Sequence, residues 1–204
     1  MVETRSLRDQ EATRANIEAR MKELTPQVRP EDVFVVYLAG HGAALDGEYH
    51  FLPWEVRYTS QQALRDQGLN QEALRKLLQM IPAKKTLLLL DTCSSGAFAM
   101  GPSRGLDDKM AIDRLSRISG RAMLAASGSE QMALEGEQGH GVFTHALLQG
   151  LQKADRNGNG LIEVGELADF IEELVPAITK RRWGYEQFPI KDLKGASFPV
   201  GRRP

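Results

Sequence analysis

The chain has 204 residues and a mass of 22.6 kDa, with 42% hydrophobic and 26% charged residues, which predicts one soluble globular domain over residues 1–204. A net charge of −1 argues against a strongly basic nucleic-acid surface, and the longest apolar runs are too short for a membrane span. The N-terminus is polar and charged, so we expect a cytoplasmic location. The single cysteine excludes an intramolecular disulfide.

Apolar spacing predicts helices and strands that alternate along the chain. A continuously apolar run such as 33–38 is typical of a strand buried on both faces, as in a parallel sheet. The order of elements therefore predicts an α/β fold, in which helices cover the faces of a parallel or mixed sheet. The predicted elements are a helix from Thr13 to Pro26, a strand at 33–38, a hairpin arm at 47–52, a helix at 74–81, strands at 86–90 and 122–127, and helices at 142–152 and 164–175.

Two reactive side chains follow predicted buried strands. His41 ends the first strand, and Cys93 follows the second by three residues. Sites in open α/β sheets form at the carboxyl ends of strands, so we expect the two residues to meet there. A cysteine nucleophile needs a neighbouring base, because a free thiol is mostly protonated at neutral pH. The alternative is a buried core thiol beside a turn histidine.

The segments around these two residues resemble the caspase-like clan. Val-Val-Tyr-Leu-Ala-Gly-His-Gly at 35–42 is similar to its strand and histidine motif, and Leu-Leu-Leu-Leu-Asp-Thr-Cys-Ser-Ser-Gly at 87–96 to its strand and cysteine motif. Cys93 lies 52 positions after His41, which fits the spacing of about 50 residues seen in caspases. Ala-Ala-Ser-Gly-Ser-Glu-Gln and Gly-His-Gly-Val-Phe-Thr-His-Ala-Leu resemble the continuation in prokaryotic caspase homologues and metacaspases.

This resemblance implies a three-layer α/β/α sandwich with a mostly parallel central sheet, and a cysteine endopeptidase that works through a thioester acyl-enzyme. Cys93 would be the nucleophile, and His41 would polarise the scissile carbonyl or protonate the leaving amine. The amides of Gly42 and Cys93 would hold the oxyanion. No cofactor is required for this chemistry, and the partner is a protein or peptide substrate, with no nucleic acid and no membrane.

The resemblance also implies a specificity for basic residues before the scissile bond. Asp91 stands in the position that lines the S1 pocket of metacaspases, where a carboxylate would pair with Arg or Lys. Ser127 and Glu130 are further candidates for substrate binding. Ala39 departs from the serine that often precedes Gly-His-Gly in the family. The alternative role for Asp91 is a carboxylate that caps or fixes a loop.

The charged segment 97–121 is predicted to be a long loop with a helical turn near 110–118. With basic specificity it would be a self-cleavage segment, and Arg104-Gly105 would be its most open bond; the alternative is a solvated charged loop. The remaining histidines are predicted to be structural or to lie at the surface: His50, His140 and His145.

Residues 155–166 match the pattern D-x-[DN]-x-[DN]-G-x5-E of an EF-hand calcium loop at every specified position. Two amphipathic helices flank the loop, as that motif requires, and Gly160 allows its sharp turn. The loop is therefore a candidate site for Ca²⁺; the alternative is a turn that keeps the shape without the metal. The candidate ligands are Asp155, Asn157, Asn159, the carbonyl of Leu161, Glu163 and Glu166.

Two other functions compete with a peptidase: a non-catalytic caspase-fold scaffold or calcium-responsive interaction module, and a cysteine hydrolase of a non-peptide acyl group. Family members normally begin with a further strand and helix before the segment that matches Val2–Leu24. We therefore expect an N-terminal segment or another chain to complete the sheet. Without it, an unpaired strand edge would favour association.

Overall fold

A six-stranded mixed sheet organises the computed structural model, with strand order β3-β2-β1-β4-β5-β9. The structure describes residues 2–57, 59–94, 111, 114–115, 122–126, 135–137 and 140–203, and at 93–94 and 135–137 it describes the backbone alone. The strands of this sheet are β1 (Val33–Leu45), β2 (Glu48–Leu52), β3 (Leu69–Asn70), β4 (Lys85–Ser94), β5 (Ala122–Ala125) and β9 (Ile190–Asp192).

The centre of the sheet is parallel and its margins are antiparallel. β1 pairs with β4 and β4 with β5 in parallel, whereas the other three pairings are antiparallel. Four short strands form two separate two-stranded ladders: β6 (Glu135–Glu137) with β7 (His140–Gly141), and β8 (Leu161–Glu163) with β10 (Pro199–Arg202).

Among the described residues, five helices of seven or more residues flank the sheet: α1 (Arg14–Leu24), α2 (Gln61–Gln67), α3 (Gln71–Met80), α4 (Val142–Lys153) and α5 (Val164–Trp183). α1 and α3 pack on one face, through Met21 and Leu77 against Leu88 and Leu90. The α4 and α5 helices cover the other face, and their apolar residues share a cluster with Leu87, Leu89 and Leu124. The predicted α/β sandwich with a parallel central sheet is confirmed.

β4 is buried on both faces, because its four leucines alternate between the two clusters and each is at most 5% exposed. β1 is not, and the prediction for 33–38 is wrong in this respect. Val35 and Tyr37 are 45% and 44% exposed, whereas Val36 packs partly against the second cluster. Among the described strands, the first part of β1 pairs with β4 alone, and β2 pairs with residues 41–45 of β1.

Two predicted elements are longer in the structure, and other elements were not predicted. β1 does not end at the Gly-His-Gly but continues to Leu45, because β2 extends its pairing. α5 continues eight residues beyond the predicted end at 175, although Pro176 lies inside it. The strands β9 and β10 and the helix α2 have no counterpart among the predicted elements.

Candidate active site

Parallel pairing of β1 and β4 makes His41 and Cys93 direct backbone neighbours. Paired strands lie about 4.8 Å apart, so the two residues of the predicted dyad are one strand spacing from each other. Both belong to the carboxyl-terminal parts of their strands, and the His41 side chain is exposed to solvent. The sheet therefore places His41 and Cys93 next to each other, as their positions in the sequence predict.

Gly40 and Gly42, on either side of His41, are glycine for two different structural reasons. Gly40 adopts a φ of +142°, a backbone conformation that side-chain-bearing residues rarely adopt. Gly42 lies beneath Tyr49, and a Cβ added there would come within 2.9 Å of Tyr49 Cε2. The Tyr49 hydroxyl lies 3.0 Å from Thr92 Oγ1, and complete burial raises the pKa of Tyr49 far above its usual range. The buried contact between Tyr49 and Gly42 thus supports the strand segment that carries His41.

The two predicted oxyanion donors have different backbone surroundings. Gly42 is paired with Phe51 on β2 and with Ser94 on β4. Its N–H therefore faces a neighbouring strand, whichever side of β1 it points to. Cys93 is paired with His41 on one side, and on the other side the pairing of β4 with the described part of β5 extends to Leu90. The oxyanion role of Gly42 stays a prediction that requires its strand ladder to open locally.

Asp91 lies two residues before Cys93 on β4 and contacts the beginning of α4. Thr144 donates a hydrogen bond from Oγ1 to Asp91 Oδ2. A Cβ added to Gly141 would come within 3.1 Å of the same oxygen, so the carboxylate packs directly over the residue that precedes α4. The Tyr37 hydroxyl lies 2.7 Å from Thr144 Oγ1. Partial burial raises the pKa of Tyr37, and the nearby charge of Asp91 adds to the rise.

Sequence reasoning did not single out Tyr37, Gly141 or Thr144 as contributors to the site. Gly141 and Thr144 belong to the quoted segment Gly-Val-Phe-Thr-His-Ala-Leu, which served there only as a mark of resemblance. Their link to Asp91 depends on the packing of α4 against the ends of β1 and β4, and no local sequence pattern encodes that contact.

Several predicted site residues lie outside the described part of the chain. These are Ser127 and Glu130, and also the Arg104-Gly105 bond. In the segment 97–121 only residues 111, 114 and 115 are described, and all three are helical, as the predicted turn near 110–118 requires. Ala111 and Leu115 are buried, and Arg114 donates to the Gly47 carbonyl at 3.2 Å, so this turn packs against the protein.

The other histidines have local structural contacts. His50 is buried on β2, its Nδ1 lies 3.2 Å from the Glu48 carbonyl oxygen, and burial lowers its pKa. His145 is buried on α4, and its Nε2 lies 2.6 Å from Gln149 Nε2. His140, which lies in the second Gly-His-Gly, is exposed on β7.

The loop 155–166 joins α4 to α5 and is closed by its own side chains. The Asp155 carboxylate accepts from the amides of Gly158 and Gly160 at 2.9 and 3.1 Å. Glu166 Oε1 accepts from Arg156 and Asn157, and Oε2 from Glu163 N, which completes a capping box for α5. Asn157 and Asn159 accept from amides two residues further on.

The second half of this loop is fixed by a strand. Its strand β8 pairs with β10 in antiparallel fashion, and Ile162 is fully buried in the first core cluster. Within the described residues, no group of three or more His, Cys, Asp or Glu side chains is arranged to hold a metal ion. The candidate ligands therefore share one preformed loop, but their carboxylates engage backbone amides there.

An α/β sandwich that carries His and Cys at neighbouring positions of parallel strands defines a candidate cysteine hydrolase. The sequence profile of the Caspase domain, Peptidase C14, matches residues 2–194. The chain therefore belongs to the caspase domain family, whose members are cysteine peptidases.

The fold is also similar to that of a solved protein. The crystal structure of protein GSU0716 from Geobacter sulfurreducens matches with a TM-score of 0.59 and 17% sequence identity, over 98% of this chain and 80% of that one. At this identity the likeness supports the fold alone. No curated protein matches the sequence. In the described part of the chain, none of the helices combines the length and the apolar character that a membrane crossing needs.

Proposed function

We propose that this chain is a cysteine endopeptidase in which Cys93 and His41 form the catalytic dyad. The observation that carries the proposal is the strand register, since the two residues are direct neighbours on β1 and β4. Family membership supports the reaction class. The exposed His41 side chain supports access of a substrate.

In the proposed reaction the Cys93 thiolate attacks the carbonyl carbon of the scissile peptide bond, while the proton of the thiol resides on His41. The tetrahedral oxyanion is held by backbone amides, with Cys93 and Gly42 as the candidate donors. His41 then protonates the leaving amine as the C–N bond breaks, which gives a thioester. Water, deprotonated by His41, hydrolyses the thioester and returns the thiol.

We further propose that Asp91 selects Arg or Lys before the scissile bond. Its position two residues before Cys93 supports this role, and its contact with α4 supports a fixed carboxylate. The protein or peptide substrate would then present a cationic side chain that pairs with this carboxylate. Ser127 and Glu130 remain candidate residues of the same pocket.

The chain offers a matched control for a test of the dyad, because His140 also stands in a Gly-His-Gly and is exposed. We expect hydrolysis of Arg- and Lys-terminated fluorogenic peptides to fall at least about a thousandfold in Cys93→Ala and His41→Ala, and to change less than about twofold in His140→Ala. Asp91→Asn should lower the same rates while leaving labelling of Cys93 by iodoacetamide intact.

Each alternative predicts a different result in this assay. A scaffold would show no hydrolysis that depends on Cys93, with or without calcium. A hydrolase of non-peptide acyl groups would resist labelling by an activated peptide ketone. Equal loss of activity in His41→Ala and His140→Ala would contradict the dyad.

We propose as a second function that the loop 155–166 binds Ca²⁺. The match to the motif is supported by the loop conformation, since the side-chain oxygens of Asp155, Asn157 and Asn159 all turn toward the loop's own amides. The pairing of β8 with β10 supports it further, because it fixes the second half of the loop, Leu161–Glu163. Carboxylate, amide and carbonyl oxygens are the ligands that calcium prefers.

Calorimetric titration of Ca²⁺ tests this second proposal. Glu166→Gln keeps an oxygen that can accept from Glu163 N but removes the charge of the expected bidentate ligand, so we expect the binding heat to disappear. Glu172→Gln makes the same change on the same helix outside the loop and should bind as the unchanged chain does. Equal heats in both variants, or none in the unchanged chain, would count against the site.

A further inference from the structure

A chain of hydrogen bonds with a fixed direction leads to Asp91. Thr144 Oγ1 contacts both the Tyr37 hydroxyl, at 2.7 Å, and Asp91 Oδ2. An ionised carboxylate can only accept, so the single hydroxyl proton of Thr144 points to Asp91. Thr144 Oγ1 can then only accept from Tyr37, whose hydroxyl also interacts with Asp91 itself. Tyr37 and Thr144 thus both direct hydroxyl groups toward the Asp91 carboxylate.

Three separate elements supply this chain. Tyr37 lies on β1, Asp91 on β4 and Thr144 in the first turn of α4. The α4 helix has no acidic residue in its first turn and no side-chain cap, and Asp91 packs against Gly141, which immediately precedes it. A carboxylate at this end is favoured by the helix dipole. The contacts with Thr144 and Gly141 thus restrict the rotation of the Asp91 carboxylate.

From this arrangement, and resting on the proposed function of Asp91, we propose that Thr144 is a positioning residue that fixes the plane of the Asp91 carboxylate and so favours Arg over Lys in the substrate. The guanidinium is planar and pairs with a carboxylate through two parallel hydrogen bonds, so it depends on the orientation of that plane. An ammonium group acts as a point charge and depends on it much less. Tyr37 orients Thr144 in turn.

Thr144→Val removes the hydroxyl at nearly constant volume and tests the proposal. We expect kcat/KM for an Arg-terminated peptide to fall about tenfold, mainly through KM, because a hydrogen bond to a charged group is lost. The rate for the matching Lys peptide should fall less, so the Arg/Lys ratio decreases. Thr144→Ser keeps the hydroxyl and should restore the ratio, whereas Tyr37→Phe should lower it partially.

The matched control is Thr59→Val, which deletes an exposed hydroxyl elsewhere and should leave both rates unchanged. A purely structural role of Thr144 would lower the Arg and Lys rates equally, and serine would not selectively restore the Arg rate. An unchanged Arg/Lys ratio in Thr144→Val therefore overturns the proposal, even when the absolute rates fall.

A second measurement separates this proposal from the proposed function. A hydrogen bond to the ionised carboxylate lowers its pKa, so the pKa of Asp91, followed by ¹³C NMR, should rise in Thr144→Val and not in Thr144→Ser. A chain that cleaves after neither Arg nor Lys contradicts the specificity proposed for Asp91, whereas an Asp91 pKa that does not respond to Thr144→Val contradicts the positioning itself.

Discussion

Gly40 and Gly42 show how single residues shape the candidate site for unrelated reasons. A side chain at Gly40 would be strained by its positive φ, while a side chain at Gly42 would meet the buried Tyr49 ring. His41 lies between them at the point where β1 is paired with both β4 and β2. The histidine position is therefore held by conformation on one side and by packing on the other.

The sequence left two roles open for Asp91: a carboxylate that fixes local structure, and a carboxylate that binds a cationic substrate group. The carboxylate receives a hydrogen bond from Thr144 and packs over Gly141, as a residue that fixes local structure does. Those contacts also determine how it would face a cationic substrate group. A structural role and the proposed specificity role are thus compatible, since recognition of a guanidinium needs an immobilised carboxylate.

At the scale of elements, the contact between α4 and α5 depends on Gly150. A Cβ added there would come within 2.5 Å of Leu167 Cδ1 and 3.2 Å of Phe170 Cδ1, and Leu167 is 1% exposed. Alanine is preferred over glycine in a helix by about 1 kcal/mol, but overpacking a core costs about 1–3 kcal/mol. From the difference of these two effects we expect Gly150→Ala to lower the free energy of unfolding by up to about 2 kcal/mol, as measured by urea denaturation.

Leu148→Ala on the exposed side of the same helix serves as the control, since Leu148 is 44% exposed. Its effect should stay within about 0.5 kcal/mol, because surface substitutions remove few contacts. A rise in the stability of Gly150→Ala would contradict the predicted overpacking and show that helix propensity prevails.

The elements differ in how well local sequence predicts them. β4 and the centre of the sheet follow from leucine-rich and β-branched runs, and His41 and Cys93 follow from their place after those runs. The length of α5 does not follow from the local sequence, because proline normally ends a helix. Burial of Ile178 and Thr179 offsets the bond lost at Pro176, and that burial depends on the tertiary structure. The contact of Thr144 with Asp91 could not be predicted for the same reason.

At the scale of the whole molecule, the sheet has an open stretch beside the candidate active site. Residues 33–40 of β1 pair with β4 on one side, and no strand within the described ranges pairs with the other side. Eight strand residues span about 26 Å. Alternate residues of this stretch are exposed and apolar, namely Val33, Val35 and Tyr37. The exposure explains why an apolar run that predicted a fully covered strand forms a partly uncovered one.

An open apolar edge of this kind pairs readily with another strand, which is the position that a completing segment or chain would occupy. Without such a segment we expect copies of this chain to associate through β1 as the concentration rises. Val35→Lys places a charge on the exposed side of that strand and should shift the weight-average mass in sedimentation equilibrium toward the monomer. Val2→Lys adds the same charge at a residue that is 93% exposed and outside the sheet, and it should leave the association unchanged. A chain that stays monomeric at about 100 μM without either substitution, or equal effects of the two lysines, would show that this edge does not drive association.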